Sequence, residues 1–490
     1  MIAALQSAPA APPQPPSARI PLVVDLDGTL LRSDLLIESA LSFLRLHPAR
    51  CYRLAGWLLH GKAHLKTELA RASSVEVASL PYNEEVLAFL RAAHAAGQPL
   101  VLATATHRHL AEQVASHLGC FDRVLATEDE VNLAGTAKRD ALVQEFGAGG
   151  FDYIGDSAAD LDVWPSARRA WTVNAPAQVE RRARALPGHA GAIATPRTKA
   201  TDWLRALRLH QWLKNFLVFI PVLGAHQVGN LTLLLQSAVA FLAFGLCASS
   251  VYVLNDLLDL PDDRRHARKR HRPFAAGRIP VAAGLTAKPL LLAAAFGLSA
   301  ALLPPAATAV LGFYYVVTLA YSLSLKRRMA IDVIALAGLY TLRIVMGAMA
   351  TGLALSFWLM AFSMFIFLSL ALVKRYAELF HARQTGKPSK TPGRGYFPED
   401  LAMIAPLGAA SGYLAVLVLA LYINDGHALE LYRRPEIIWL ACPLILSWIT
   451  RVWMLAHRGE MHEDPLVFAT KDWKSVTTGI ILAFILILAR

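Results

Sequence analysis

Two groups of carboxylates in this 490-residue chain sit where an apolar run stops, the position in which acidic side chains can do chemistry. The first is Asp25-Leu26-Asp27-Gly28-Thr29, directly after Leu22-Val23-Val24. Alternation along an extended strand turns Asp25 and Asp27 to the same side. One carboxylate can then attack phosphorus while the other moves protons. Gly28 allows the turn that follows. Thr104 ends the apolar run that starts at Leu100, and its hydroxyl can hold a phosphate oxygen. Lys138 can neutralise charge between nucleophile and phosphate. Asp156 and Asp160 follow a further apolar stretch, Tyr153-Ile154-Gly155, and their oxygens suit magnesium.

The second group is Asn255-Asp256-Leu257-Leu258-Asp259-Leu260-Pro261-Asp262-Asp263. Asp256, Asp259 and Asp263 recur at i, i+3 and i+7, one face of a helix if the helix continues past Pro261. Three carboxylates at the end of a membrane helix repel one another unless a cation lies among them. Magnesium shared with substrate phosphates is the natural occupant. Arg264, His266, Lys269 and Arg272 come next and supply charge to stabilise a diphosphate leaving group. Arg265, Arg268 and Arg270 read as a solvated, orientation-setting loop.

The elements that must position these groups differ between the two parts of the chain. Up to about residue 200 the apolar runs are short and interleaved with charge, as in a soluble α/β domain. Beyond it, apolar segments of near twenty residues recur, long enough for a hydrocarbon core of roughly 30 Å. Nine spans are expected, near 213–228, 232–254, 282–302, 306–325, 331–351, 355–374, 401–423, 436–456 and 475–489. Basic residues gather in the loops after the second, fourth and sixth, including Lys326, Arg327 and Arg328. The positive-inside rule puts those loops and the N-terminal domain in the cytoplasm and the C-terminus outside. Arg433 and Arg434 break the pattern. The expected location is the inner (cytoplasmic) membrane, crossed many times, with both acidic sites on the cytoplasmic side.

Residues 1–19 lack a basic start and an apolar core, and Pro12, Pro13, Pro15 and Pro16 disfavour a helix, so a disordered lead is expected rather than a secretory signal. Cys51, Cys120, Cys247 and Cys442 are scattered without metal-ligand spacing. The net charge of +12 lies mostly in loops between apolar segments. With no interleaved basic and aromatic motif, nucleic-acid binding is not expected.

In order, the motifs around Asp25, Thr104, Lys138 and Asp156 resemble the haloacid dehalogenase (HAD) superfamily, over residues 20–195. The resemblance implies a Rossmann-like α/β domain with a helical cap at 33–95. It makes Asp25 the nucleophile, Asp27 the general acid/base, and Asp25, Asp27 and Asp156 the ligands of one magnesium ion. The run Asn-Asp-x-x-Asp-x-x-x-Asp at Asn255 resembles the UbiA superfamily of intramembrane transferases, over residues 200–490, an all-α bundle of about nine transmembrane helices. Within it the chain is most similar to the decaprenyl-phosphate phosphoribosyltransferases. That similarity rests on Gln211-Trp212-Leu213-Lys214-Asn215, the acidic motif, Tyr321 to Lys326 with Asp332 and Arg343, Lys374 to Glu378, and Asp464-Pro465 with Lys471-Asp472.

The resemblance implies that Asp256, Asp259 and Asp263 hold at least one magnesium on the diphosphate of phosphoribosyl diphosphate, and that a polyprenyl phosphate attacks the anomeric carbon. Asn255, Lys214, Lys326, Arg272, Tyr321, Asp332 and Arg343 become substrate-site candidates. Membrane lipid is the remaining partner, and oligomerisation stays open. The alternative is transfer of a prenyl group from its diphosphate to an aromatic acceptor. Against it, no Asp or Glu follows Asp332 within 333–342 to complete a second acidic pair. Fusion of the two domains suggests that the HAD domain removes the 5-phosphate of the lipid-linked product.

Overall fold

The computed structural model describes residues 20–128, 132–384, 395–425, 431–461 and 464–490. The expected disordered lead, residues 1–19, lies outside them. The chain divides into two compact units. One comprises Met1–Trp203 with Asp256–Gly284, and the other Leu204–Asn255 with Leu285–Arg490.

In the first unit, β1 (Leu22–Val24), β2 (Leu100–His107), β3 (Arg123–Thr127), β4 (Asp152–Gly155), β5 (Arg169–Val173) and β6 (His189–Ile193) make one sheet in the order β3-β2-β1-β4-β5-β6. All pairings are parallel. Parallel strands are covered on both faces, which is why β1 is apolar throughout. Leu22 and Val24 pack with Leu100, Leu102 and Ile154 on one face, and Val23 packs with Val101, Phe151 and Tyr153 on the other. Strand order reverses at β1, which lies between β2 and β4. The connections leaving their C-terminal ends diverge there and open a crevice. Asp25 and Asp156 stand one residue past the ends of β1 and β4.

Between β1 and β2 run α1 (Leu35–Leu46), α2 (Tyr52–Leu59), α3 (Lys62–Ala72) and α4 (Glu84–Ala95). Asp34 starts α1 by accepting the Ile37 N–H at 3.1 Å. α4 sends Val86, Leu87 and Leu90 into the core beside the sheet, so it belongs to the α/β layer. α3 lies over the C-terminal end of β2, where Lys66 donates to the Ala105 carbonyl at 2.5 Å. α5 (Arg108–Leu118), α6 (Thr136–Phe146) and α7 (Ala177–Arg184) complete the crossovers.

The second unit is helical. Among the described residues seven helices are long and apolar enough to cross a bilayer, or eight if one pair bent by 83° counts as a span, where nine were expected. The helices that follow the sheet in chain order are α8 (Ala200–Ala206), the short α9 (Ile220–Gly224), α10 (Leu231–Leu258), α11 (Leu260–Arg265), which belongs to the first unit, α12 (Val281–Leu302), α13 (Pro305–Leu323), α14 (Ile331–Thr351), α15 (Phe357–Gln384) and α16 (Leu401–Ile423). The expected first span is instead a tight 3-10 run, Leu209–Phe219, followed by α9. It holds the buried polar residues Lys214 and Asn215, and Pro221 sits in the first turn of α9. The expected ninth span is the bent pair, Pro465–Lys471 and Trp473–Ala489. Asp472 forms the break, accepting the Ser475 N–H at 2.9 Å and pairing with Arg451 at 2.6 Å.

Helices in this unit pack closely through small residues. A Cβ built on Gly408 of α16 would lie 2.0 Å from Trp453 Cζ2, whereas one on Gly338 of α14 meets nothing within 4 Å. Overpacking costs about 1–3 kcal/mol. Gly408→Ala is therefore expected to lower the thermal unfolding midpoint in detergent, and Gly338→Ala to leave it in place or raise it.

Candidate functional site

The first acidic centre is built where β1 and β4 end side by side. Asp25 Oδ1 lies 2.9 Å from Lys138 Nζ and accepts the Leu26 N–H at 2.8 Å. Asp156 Oδ1 accepts the Thr29 hydroxyl at 3.1 Å. Gly28 has φ +81°, and a Cβ there would come within 2.1 Å of Asp156 Oδ2, so only glycine lets the turn pass this carboxylate. Asp160 closes the group. One oxygen accepts the Tyr153 hydroxyl at 2.7 Å, and the other accepts the N–H groups of Asp156 and Ser157 at 3.0 and 2.9 Å.

Asp25, Asp156 and Asp160 each bring an oxygen within 4.8 Å of the other two. Burial raises the Asp25 carboxyl to about 6, with Lys138 opposing and Asp160 adding to the rise. Burial, then repulsion from Asp25 and Asp160, pushes Asp156 well above the carboxylate range. Such crowding is what a divalent cation relieves, so these residues fit one.

Asp27, expected both as a ligand and as the general acid/base, is hydrogen-bonded through both side-chain oxygens. Its Oδ1 accepts the Leu35 N–H at 2.8 Å, and its Oδ2 accepts the Thr106 hydroxyl at 2.6 Å. Burial, then the neighbouring Asp34 charge, raises it to about 7. A carboxyl titrating there suits proton transfer at neutral pH. Thr104, the expected phosphate holder, is fully buried and accepts the Thr106 N–H at 3.0 Å. Thr106 faces the cavity instead. β2 runs on to His107 with a register shift between Thr104 and His107, so the sequence pattern did not mark Thr106.

The cavity, of about 970 Å3, is lined by Asp25, Asp27, Lys66, Thr106, Lys138 and Asp156 among others. Lys66, unmarked in the sequence, is a cation held by neutral acceptors, the Ala105 carbonyl at 2.5 Å and Asn132 Oδ1 at 2.7 Å. Desolvation lowers its pKa, and a phosphate would restore the missing counter-charge.

The second acidic centre departs from one continuous helix face. α10 stops at Leu258, Asp259 is the junction, and Asp263 belongs to α11. Arg272 joins the outer two carboxylates, its Nη1 lying 3.1 Å from Asp256 and 2.7 Å from Asp263. A cation between Asp256 and Asp263 is thus already part of the arrangement. Asn255 immediately precedes Asp256 on α10.

Arg264, expected at the diphosphate, points to Glu38 of α1 in a forked pair at 2.6 and 3.2 Å, both side chains 5% exposed. Glu38 also accepts the Ser33 hydroxyl at 2.5 Å. Two outer pairs flank this contact, Arg45–Asp262 at 2.6 Å and Arg265–Glu76 at 2.7 Å. His266 Nδ1 accepts the Arg268 N–H at 3.2 Å, and Lys269 is exposed.

In the helical unit, Lys214 and Lys374 flank Asp464 at 2.8 and 3.0 Å, and the Tyr340 hydroxyl donates to the same carboxylate. Burial would raise Asp464, but the two ammonium groups prevail and hold it well below the carboxylate range. Arg343 donates to Asn215 Oδ1 at 3.0 Å and lies over the rings of Phe244, Tyr314 and Tyr340. Asp332 is fully buried, 2.8 Å from Arg375 and 2.8 Å from the Tyr321 hydroxyl. Lys326 sits in the short turn after α13, half-buried. In the sequence Lys374 and Asp464 stand out only as parts of motifs, because their pairing joins segments 90 residues apart.

The pattern of the UbiA prenyltransferase family matches residues 216–475, and that of the haloacid dehalogenase-like hydrolases matches residues 22–164. An uncharacterised protein of Sinorhizobium fredii is 38% identical over 473 residues, 96% of this chain and 91% of its own length. Nodulation protein NoeC of Azorhizobium caulinodans is 36% identical over 281 residues, 56% of this chain and 88% of that one. The decaprenyl-phosphate phosphoribosyltransferase of Mycobacterium tuberculosis is 32% identical over 229 residues, 46% of this chain and 75% of that enzyme.

The Glu38–Arg264 pair yields a direct test. Removing one partner of a buried ion pair leaves the other uncompensated and costs about 3–5 kcal/mol. Glu38→Ala and Arg264→Ala should each lower the thermal midpoint and open residues 260–278 to limited proteolysis. The double change Glu38→Leu with Arg264→Met should recover most of the loss.

Proposed function

We propose that this chain, which belongs to the UbiA prenyltransferase family and carries a haloacid dehalogenase-like region ahead of it, transfers 5-phosphoribosyl from phosphoribosyl diphosphate to a polyprenyl phosphate and then removes the 5-phosphate. Similarity to decaprenyl-phosphate phosphoribosyltransferases supports the choice of branch. The observation that carries it within the structure is the environment of Asp332. A second metal site for a prenyl diphosphate would need that carboxylate free; Arg375 and Tyr321 lie against it, and the Arg375–Asp332 pair is buried at 1% and 0% exposure, whereas Arg272 on the Asp256 centre is 31% exposed and can move aside.

In this reading Asp256, Asp259 and Asp263 hold magnesium, and Arg272 moves from the carboxylates to the diphosphate. Magnesium, when bound, neutralises the diphosphate and makes it a better leaving group. The bond from the anomeric carbon to the diphosphate oxygen breaks, and an oxygen of the polyprenyl phosphate takes its place. A phosphate nucleophile is already ionised, so no base is required. Lys214, Lys374 and Arg343 outnumber Asp464 among the named charges of their cluster and suit a phosphate group.

The phosphatase step follows from the first acidic centre. Asp25 and Asp156, braced by Asp160, are the residues to hold a magnesium ion. Asp25 attacks the 5-phosphorus while Asp27 protonates the departing sugar oxygen. Water then attacks the aspartyl-phosphate and gives its proton to Asp27, releasing phosphate and restoring Asp25. Lys138, Lys66 and Thr106 bind the phosphate oxygens. Both steps are assigned to the cytoplasmic face of the inner membrane.

Asp256→Asn should abolish transfer to lipid. Asp25→Asn should leave transfer running while the lipid product retains its 5-phosphate, as read by thin-layer chromatography. If Asp25→Asn and the parent yield the same product, the second step is wrong. Because Asp27 must be protonated to act as an acid, phosphate release should fall as pH rises through about 7, and Asp27→Asn should remove that limb with most of the activity.

A further inference from the structure

The cavity around Asp25 is larger than one phosphate needs. About 970 Å3 lies near the upper end of small-molecule sites. Besides Asp25, Lys66 and Lys138, its wall carries Arg184, Arg197 and Arg278. Phosphoryl transfer at Asp25 makes no use of these three. Arg197 follows β6, which stands three places from β1 in the sheet. Three strand spacings are roughly 14 Å, a gap that a long arginine side chain shortens.

The three arginines differ in how their charge is met. Arg184 pairs with Glu180 at 2.8 Å, and Arg278 with Asp202 at 3.4 Å. Arg197 is exposed and has no carboxylate partner among the described residues. Arg278 is fixed beside it, because the Thr198 hydroxyl donates to the Arg278 carbonyl at 2.6 Å and the Arg278 guanidinium donates to the His271 carbonyl at 2.5 Å. A held arginine and an uncompensated one on the same wall make a site for an anion distinct from the group hydrolysed at Asp25.

We propose that Arg197, with Arg278 beside it, binds a second phosphate of the substrate, so that the phosphatase half selects a sugar phosphate carrying another phosphate at the far end of the sugar. This rests on the reading that the Asp25 centre hydrolyses a phosphomonoester, and it adds the class of substrate. The second phosphate can belong to a lipid-linked phosphodiester or to a soluble bisphosphate, since the recognising chemistry is the same.

The test uses the full-length protein in detergent and three substrates labelled at the 5-phosphate. They are ribose 5-phosphate, ribose 1,5-bisphosphate and a short-chain prenyl-phosphoryl ribose 5-phosphate, with Asp25→Asn as background. One charge-assisted contact supplies roughly 10- to 100-fold. At least one two-phosphate substrate should exceed ribose 5-phosphate in kcat/KM by that factor, and which one does identifies the soluble or the lipid source. Arg197→Ala should collapse the ratio to within a few-fold, and Arg197→Lys should keep most of it. An exposed side chain makes both variants readily tolerated by the fold. Equal kcat/KM for one- and two-phosphate substrates, or a ratio that survives Arg197→Ala, would overturn the second subsite while leaving the phosphatase reading intact. Release that does not depend on Asp25 from any of the three would overturn both.

Discussion

Crowded negative charge is the constraint on which the rest of the structure depends. At the first acidic centre the oxygens of three carboxylates lie within 4.8 Å of one another, and at both centres one basic side chain lies against the carboxylates. Lys138 serves Asp25 at 2.9 Å, and Arg272 joins Asp256 and Asp263. Like charges in a poorly solvated place are tolerated only with a counter-charge or a raised pKa. Both remedies are present at the first centre, where Asp25, Asp27 and Asp156 are all pushed upward by burial. The surrounding elements follow from this. A parallel sheet reversing its order at β1 brings two strand ends together, Gly28 passes a carboxylate that a Cβ would strike, and Tyr153 and Ser157 spend their hydrogen bonds on holding Asp160.

The same helix meets both acidic centres. α1 begins at the Leu35 N–H, which donates to Asp27, and one turn later its Glu38 holds Arg264, next in sequence to Asp263. The short α11 therefore rests on the α/β region through one buried and two outer ion pairs. The buried pair fixes position, and the exposed ones add little to stability. Two reactions in succession on one substrate are consistent with acidic centres built within one compact unit.

Much of the chemistry was legible because it is local. Asp25, Asp27, Asp156 and the run from Asp256 to Asp263 each follow an apolar segment at a spacing that one strand or one helix end explains. What escaped the sequence depends on residues far apart. Lys66 matters because α3 crosses the end of β2, and Arg264 turns to Glu38 because segments 226 residues apart pack together. Thr104 and Thr106 lie on one strand whose register shifts between Thr104 and His107, which alternation does not foresee. The count of spans failed where composition hides geometry. Hydropathy averages across Pro221 and Asp472, and the chain breaks at both places.

Doubly labelled phosphoribosyl diphosphate, with carbon-14 in the ribose and phosphorus-32 at the 5-phosphate, tests the proposed two-step reaction most directly. The purified protein would be incubated in detergent with polyprenyl phosphate and magnesium, and the lipid fraction counted for both isotopes. The expected result is carbon-14 in the lipid with phosphorus-32 released as inorganic phosphate, and both labels retained in the lipid with Asp25→Asn. Absence of carbon-14 from the lipid, with consumption of a prenyl diphosphate when an aromatic acceptor is supplied, would contradict it.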